Sequence, residues 1–220
     1  MAAVMANALL HIWRAYRQCP IGSRLRVLGR YVLCPYPAIL RCLPPSGRIL
    51  DVGCGDGLLL FLLSRESQPP AGTYDGIDPA EDKIDNARRA LDGLAECKVG
   101  RVAVLPNETY DCVSIMDVLY LMPQKDWSEL LGHAVRVLRT GGRLIVKEVI
   151  DRPCWKRWVT YMEELVAIKL LRMTRGQSPH FESLETYRTA IEQAGAEVIR
   201  VEPVGAWRPA AHCLFVARKR

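Results

Sequence analysis

Gly53, Gly55 and Gly57 alternate with other residues directly after the apolar run Ile49-Leu50-Asp51-Val52, and Asp78 stands twenty-one residues beyond the last of them. Glycine tolerates positive φ and has no Cβ, so this pattern lets a strand turn abruptly into a helix with its amides bare against a ligand. Asp78 closes a second short run, Gly76-Ile77, where a carboxylate can accept hydrogen bonds from both hydroxyls of a ribose. The expected ligand is a nucleoside. Dinucleotide sites use G-x-G-x-x-G, but here Leu58 occupies the place of the third glycine. Asp51 points the same way, because a carboxylate beside the glycines repels a pyrophosphate yet accepts from a cationic amino-acid group, directly or through water.

Together D-x-G-x-G-x-G and Asp78 resemble the first two motifs of class I S-adenosylmethionine-dependent methyltransferases of the small-molecule type. The element order extends this resemblance over roughly residues 46–218. It implies S-adenosylmethionine as cofactor. Gly53, Gly55 and Gly57 then give the close backbone approach, Asp51 serves the amino-acid end, and Asp78 with Pro79 serves the ribose. Cys54 lines the cofactor pocket, and Asp117 belongs to the loop beneath the methionine part. The third motif departs from the family, which often carries an acid a few residues before a Leu-Pro like Leu105-Pro106. Here Gly100-Arg101 takes that place, and arginine cannot accept from the adenine amino group, so a backbone carbonyl and the Val102 amide are expected to hold the base.

Methyl transfer from a sulfonium is a direct displacement that depends chiefly on desolvating and aligning the reactants. A phenol or acid acceptor also gains from a base, and the candidates by position are Glu148, ending the fifth strand, and His180. A salt-bridged strand end and an ordinary loop histidine are the plainer readings of these two residues. Tyr120, Trp155, Trp158 and Tyr161 are the candidate substrate-binding residues. They would suit a flat or long apolar acceptor, although aromatics at helical spacing also serve as plain core. No histidine or cysteine pair has metal-ligand spacing.

Strands are expected at 48–52, 74–77, 96–99, 112–116 and 143–149, with helices at 58–64, 81–91, 125–138 and 184–194 between and after them. Two last runs, 197–201 and 212–217, would pair as an antiparallel hairpin. This alternation predicts an α/β fold: a Rossmann-like, doubly wound, seven-stranded and mostly parallel sheet. Residues 46–220 form the methyltransferase domain, with a helical insertion at about 151–178. Residues 1–45 form an N-terminal helical arm belonging to the same unit, with helices near 6–18 and 23–32.

A chain of 220 residues suffices for one such core. Its eight cysteines are scattered and suit buried thiols better than a disulfide framework. No uncharged apolar stretch spans a membrane and no basic signal start is present, so a cytoplasmic protein is expected. The net charge of +6 is matched by the first fifty residues, which hold seven arginines and no acid. That segment could meet an anionic membrane surface or an acidic carrier protein, or be a solvated basic face. Nucleic acid is disfavoured because no known nucleic-acid module is visible. Two rivals remain at this point: an NAD-dependent dehydrogenase, which would want the third glycine, and a non-enzymatic relative acting through its basic arm.

Overall fold

The computed structural model describes residues 2–66, 72–150, 181–204 and 211–220. Seven strands form one sheet: β1 (Gly47–Val52), β2 (Gly72–Asp78), β3 (Glu96–Val99), β4 (Tyr110–Met116), β5 (Leu138–Val149), β6 (Ala196–Val204) and β7 (His212–Lys219). Their order is β3-β2-β1-β4-β5-β7-β6. The pairs β1–β2, β1–β4, β2–β3 and β4–β5 are parallel, whereas β7 runs antiparallel to both β5 and β6. The expected mostly parallel sheet with a C-terminal hairpin is therefore present. The order reverses between β1 and β4, and in such sheets a crevice opens at the carboxyl ends of the strands flanking that reversal.

Helices cover both faces. On one side lie α1 (Ala2–Ala15), α2 (Ile21–Leu33), α3 (Tyr36–Leu40), α4 (Leu58–Glu66) and α5 (Glu81–Leu91). Their buried residues, including Ile12, Tyr16, Val27, Ile39, Leu60 and Ile84, form one continuous apolar cluster. On the other side lie α6 (Trp127–Val137) and α7 (Leu184–Gln193), whose Trp127 and Tyr187 stack at 4.8 Å between ring centroids. The central strands β1 and β4 are buried on both faces, which explains their unbroken apolar runs.

Several boundaries differ from the sequence expectation. β5 starts at Leu138, five residues earlier than expected, because Leu138 pairs with Tyr110 before a register shift passes the Gly141-Gly142 segment. An added Cβ on Gly142 would stand 2.8 Å from the Arg139 carbonyl oxygen, so glycine permits this crowded passage. α1 ends at Ala15 and is continued by a 3-10 turn, Tyr16–Gln18. Among the described residues no helix is long and apolar enough to cross a membrane. The expected insertion at 151–178, with Trp155, Trp158 and Tyr161, lies outside the described residues, as does His180.

Candidate functional site

The three motif glycines all have positive φ, 73° at Gly53, 55° at Gly55 and 79° at Gly57, yet they do different work. A Cβ on Gly53 would fall 2.6 Å from Val118 Cγ2, so glycine here lets the β4 loop close over the turn. A Cβ on Gly57 would meet Ala87 Cβ at 2.9 Å and Leu91 Cδ1 at 3.0 Å. That glycine seats α4 against α5 and is not among the described residues that line the cleft. Gly55 is the open one, with Lys83 Cδ at 3.8 Å as the nearest atom. Its amide donates to Asp78 Oδ2 at 3.0 Å, while the Ala80 amide donates to Asp78 Oδ1 at 2.8 Å. The carboxylate is thereby held at the tip of β2 with acceptor capacity to spare.

Asp78, Pro79, Gly53, Gly55, Val102 and Asp117 all border one cleft of about 700 Å³. That volume lies within the ~300–1,000 Å³ usual for ligand pockets. Beside it a recess of about 30 Å³ is lined by Asp51, Cys54, Arg30 and Tyr36. Asp51 is buried and accepts from Ser114 Oγ at 2.7 Å. Burial pushes its carboxyl up to about 7, against the lowering effects of Ser114 and Arg30. A ligand ammonium group would supply the countercharge that burial denies this carboxylate.

A cluster of charges lies under the far wall. Asp117, with φ of 59°, ion-pairs with the buried Lys147 and stands 3.5 Å from Arg30 Nη2. Burial alone would raise its carboxyl, but Lys147, Arg30 and His212 outweigh burial and hold it below the usual range. Arg30 also donates to the Met116 carbonyl at 3.0 Å. Sequence reasoning missed both partners, reading Arg30 as arm surface charge and Lys147 as part of a strand end.

Glu148 is not among the described residues that line the cleft. It is fully buried, and its two oxygens accept from the amides of Val118 at 3.1 Å, Leu119 at 2.9 Å and Tyr120 at 3.4 Å. Burial and then the Asp117 charge push its carboxyl up to about 8, although the amide bonds oppose the shift. This geometry ties the carboxyl group to the loop that follows β4. Tyr120 likewise is not among the described lining residues and stacks on Phe181 at 5.7 Å in a small apolar cluster with Val149 and Leu121.

The same cleft is also lined by Gly100, Arg101 and Val102 after β3, by Asp126 at the N-cap of α6, and by Glu129 and His133 of α6. Two carboxylates thus line the cleft from α6 and its N-cap, where the segment after β3 has none. No motif of the sequence announces them.

The arm completes the enclosure. Arg26 grips the Asp56 carboxylate at 2.9 and 2.7 Å, Asn86 Nδ2 donates to the same carboxylate at 3.0 Å, and Tyr16 Oη donates to the Asp56 carbonyl at 2.7 Å. Two arm arginines are therefore pinned to the nucleotide-binding elements and are not solvated surface charge. The cleft and its recess thus offer a carboxylate at the β2 tip, an uncrowded glycine turn and a buried acid, an arrangement that fits the ribose and amino-acid ends of S-adenosylmethionine.

A methyltransferase-domain family profile matches residues 25–201. The chain belongs to the S-adenosylmethionine-dependent methyltransferases. This methyltransferase is 30% identical over 160 residues to the fatty-acid O-methyltransferase of Mycolicibacterium smegmatis, covering 71% of this chain and 55% of that protein. It is 23% identical over 164 residues to a methyltransferase of Streptomyces halstedii, again covering 71% of this chain and 55% of the relative. The chain thus spans about half the length of these two relatives. Among solved structures, a methyltransferase from Methanosarcina mazei superposes with a TM-score of 0.64 at 21% identity, covering 84% of this chain and 97% of that one. A geranyl diphosphate C-methyltransferase from Streptomyces coelicolor A3(2), bound to S-adenosyl-L-homocysteine, gives 0.65 at 13% identity, covering 88% and 81%. At these identities the two structures establish the shared fold, and S-adenosylmethionine is the cofactor of the family.

Proposed function

We propose that this methyltransferase acts on a hydrophobic or aromatic small molecule, lipid-like or carrier-bound. The observation that carries this reading is the wall of the cleft beyond the cofactor elements, where Val118, Leu121, Met122, Pro123 and Leu130 offer apolar surface. An apolar wall beside a charged cofactor end favours a greasy acceptor over a small polar one. The similarity to a fatty-acid O-methyltransferase supports the same class.

S-adenosylmethionine supplies an electrophilic methyl group on a positively charged sulfur. Asp78 would accept from the ribose hydroxyls, Asp51 would receive the ammonium end, and the Gly53 and Gly55 backbone would admit the nucleoside closely. Pro79 and Val102 would bound the base, with the Val102 amide donating to it, and Cys54 would sit behind the turn. Asp117, fixed by Lys147 and Arg30, would hold the loop between cofactor and acceptor. Glu148 is best assigned as a positioning residue that fixes the 118–120 loop, leaving His180 as the base candidate for an acidic acceptor. Trp155, Trp158 and Tyr161 would roof the acceptor, with Tyr120 supporting the loop from behind.

The test is methyl transfer from radiolabelled S-adenosylmethionine to a panel of fatty acids, phenols and small polar amines, with Asp78→Ala as the inactive control. Transfer to an apolar acceptor, weakened when Trp155, Trp158 and Tyr161 are replaced by alanine together, is expected. Transfer confined to polar amines, or normal activity in the triple variant, would sink the reading.

A further inference from the structure

We propose that the outward face of α2, with the arginines beside it, docks on an anionic lipid bilayer. The orientation of α2 is set by contacts at its inner face, where Ser23 and Val27 are buried, Arg26 grips Asp56 and Arg30 reaches the Met116 carbonyl. With 3.6 residues per turn, Ile21, Leu25 and Val32 must then point away from the body. They are 60%, 51% and 41% exposed, and Leu33 at the same end is 38% exposed. An ordinary surface helix turns its polar face outward, and this one turns out aliphatic side chains instead.

The feature is local. Of the ten exposed large apolar residues among those described, six lie between Met5 and Leu33. Arg14, Arg17 and Arg41 are exposed on the same arm, and Arg24 lies over the Trp13 ring at 3.3 Å. The first fifty residues contain no acid to oppose them. Aliphatic side chains that enter the acyl boundary beside arginines that pair with lipid phosphates make an interfacial surface. Single-stranded nucleic acid would ask for exposed aromatic platforms, and the outward residues of α2 are aliphatic. Arg30, on the inner face of the same helix, borders the cleft, so the docked helix would lie between the bilayer and the site. The inference rests on the arm alone and stands whichever acceptor is used.

The test is sedimentation of the full chain with vesicles of phosphatidylcholine alone and of phosphatidylcholine carrying about one third phosphatidylglycerol, at low and high salt. Two variants accompany it: Ile21→Asp with Leu25→Asp, and Arg14→Glu with Arg17→Glu. None of these four residues borders the cleft, so calorimetric affinity for S-adenosylhomocysteine should stay within about twofold of wild type, as expected for independent sites. The wild type is expected to sediment with the anionic vesicles and less so at high salt, and each variant to retain at most about a fifth of that binding. Retention of the wild type in the supernatant, or sedimentation of both variants like wild type, overturns the proposal. So does a concentration-dependent dimer that the first variant abolishes without any vesicle binding, which would assign the face to a second copy. Loss of S-adenosylhomocysteine binding in the wild type would instead strike the cofactor reading and leave the vesicle result to be judged separately.

Discussion

Asp51 is a carboxyl group whose pKa burial raises to about 7, at the place where a cationic group is expected. An ammonium ligand prefers the ionised form, so its binding must expel a proton whenever the pH lies below about 7. The affinity for S-adenosylhomocysteine should therefore rise between pH 6 and pH 7, by no more than about tenfold, and flatten above. Calorimetry in buffers of different ionisation enthalpy would register the released proton. Asp51→Asn should remove the release and weaken binding by about 1.5–3 kcal/mol, the usual scale of a hydrogen bond to a charged group. Glu148 follows the same linkage in stability. Its folded-state pKa, about 8, is raised above the unfolded value, so the stabilisation is present at low pH and is lost as the pH rises to about 8. Urea unfolding should show stability falling by at most about 1.4 kcal/mol per pH unit from each raised carboxyl. Glu148→Gln should reduce that slope. It should also lower kcat more than the KM for S-adenosylmethionine, because the amide group places a donor against amides that now have acceptors. A change in KM alone would argue against the positioning role.

Two elements set the shape of the cleft from opposite sides. The β4 loop is held by Glu148 and by Trp127, whose Nε1 donates to the Leu119 carbonyl at 2.8 Å and also approaches the Met122 carbonyl at 3.3 Å. Trp127→Phe keeps most of the stacking on Tyr187 and loses these bonds, which should cost about 1 kcal/mol. Trp127→Ala empties the site as well and should cost about 3–5 kcal/mol. A loop loosened this way should also raise the KM, and intact kinetics in Trp127→Phe would show that the loop is held elsewhere. On the other side, α2 is fastened through Arg26 to Asp56. The two side chains are 12% and 9% exposed, so removing one partner strands a largely buried charge. Arg26→Ala should cost toward the lower end of about 3–5 kcal/mol, since Ser23 and Asn86 still bond within the cluster. Thermal unfolding measures both series.

For the molecule as a whole, the parallel strands, the glycine turn and Asp78 were legible because each is local: an apolar run, a φ that glycine adopts most readily, an acid at a strand end. The ion pairs of Arg26, Arg30 and Lys147 were not legible, because they join residues thirty or more positions apart and nothing in a run of arginines marks which ones are buried. Glu148 follows the same pattern, since its position at a strand end was readable and the three amides meeting it were not. The consequence concerns the arm. Ile12, Tyr16, Val27 and Ile39 share one apolar cluster with Leu58, Leu60 and Ile84, so residues 1–45 should fold with the sheet as one unit. Removing them would bare that cluster and leave Asp56 without Arg26 and Asp117 without Arg30. The full chain should therefore unfold in a single transition, with circular dichroism and tryptophan fluorescence coinciding. A chain of residues 46–220 should melt more than about 10 °C lower or aggregate, well beyond the ~2–4 °C that 1 kcal/mol produces in a domain of this size. Equal melting temperatures for the two chains would make the arm a separate appendage, and Arg30 could not then be counted among the residues that shape the site.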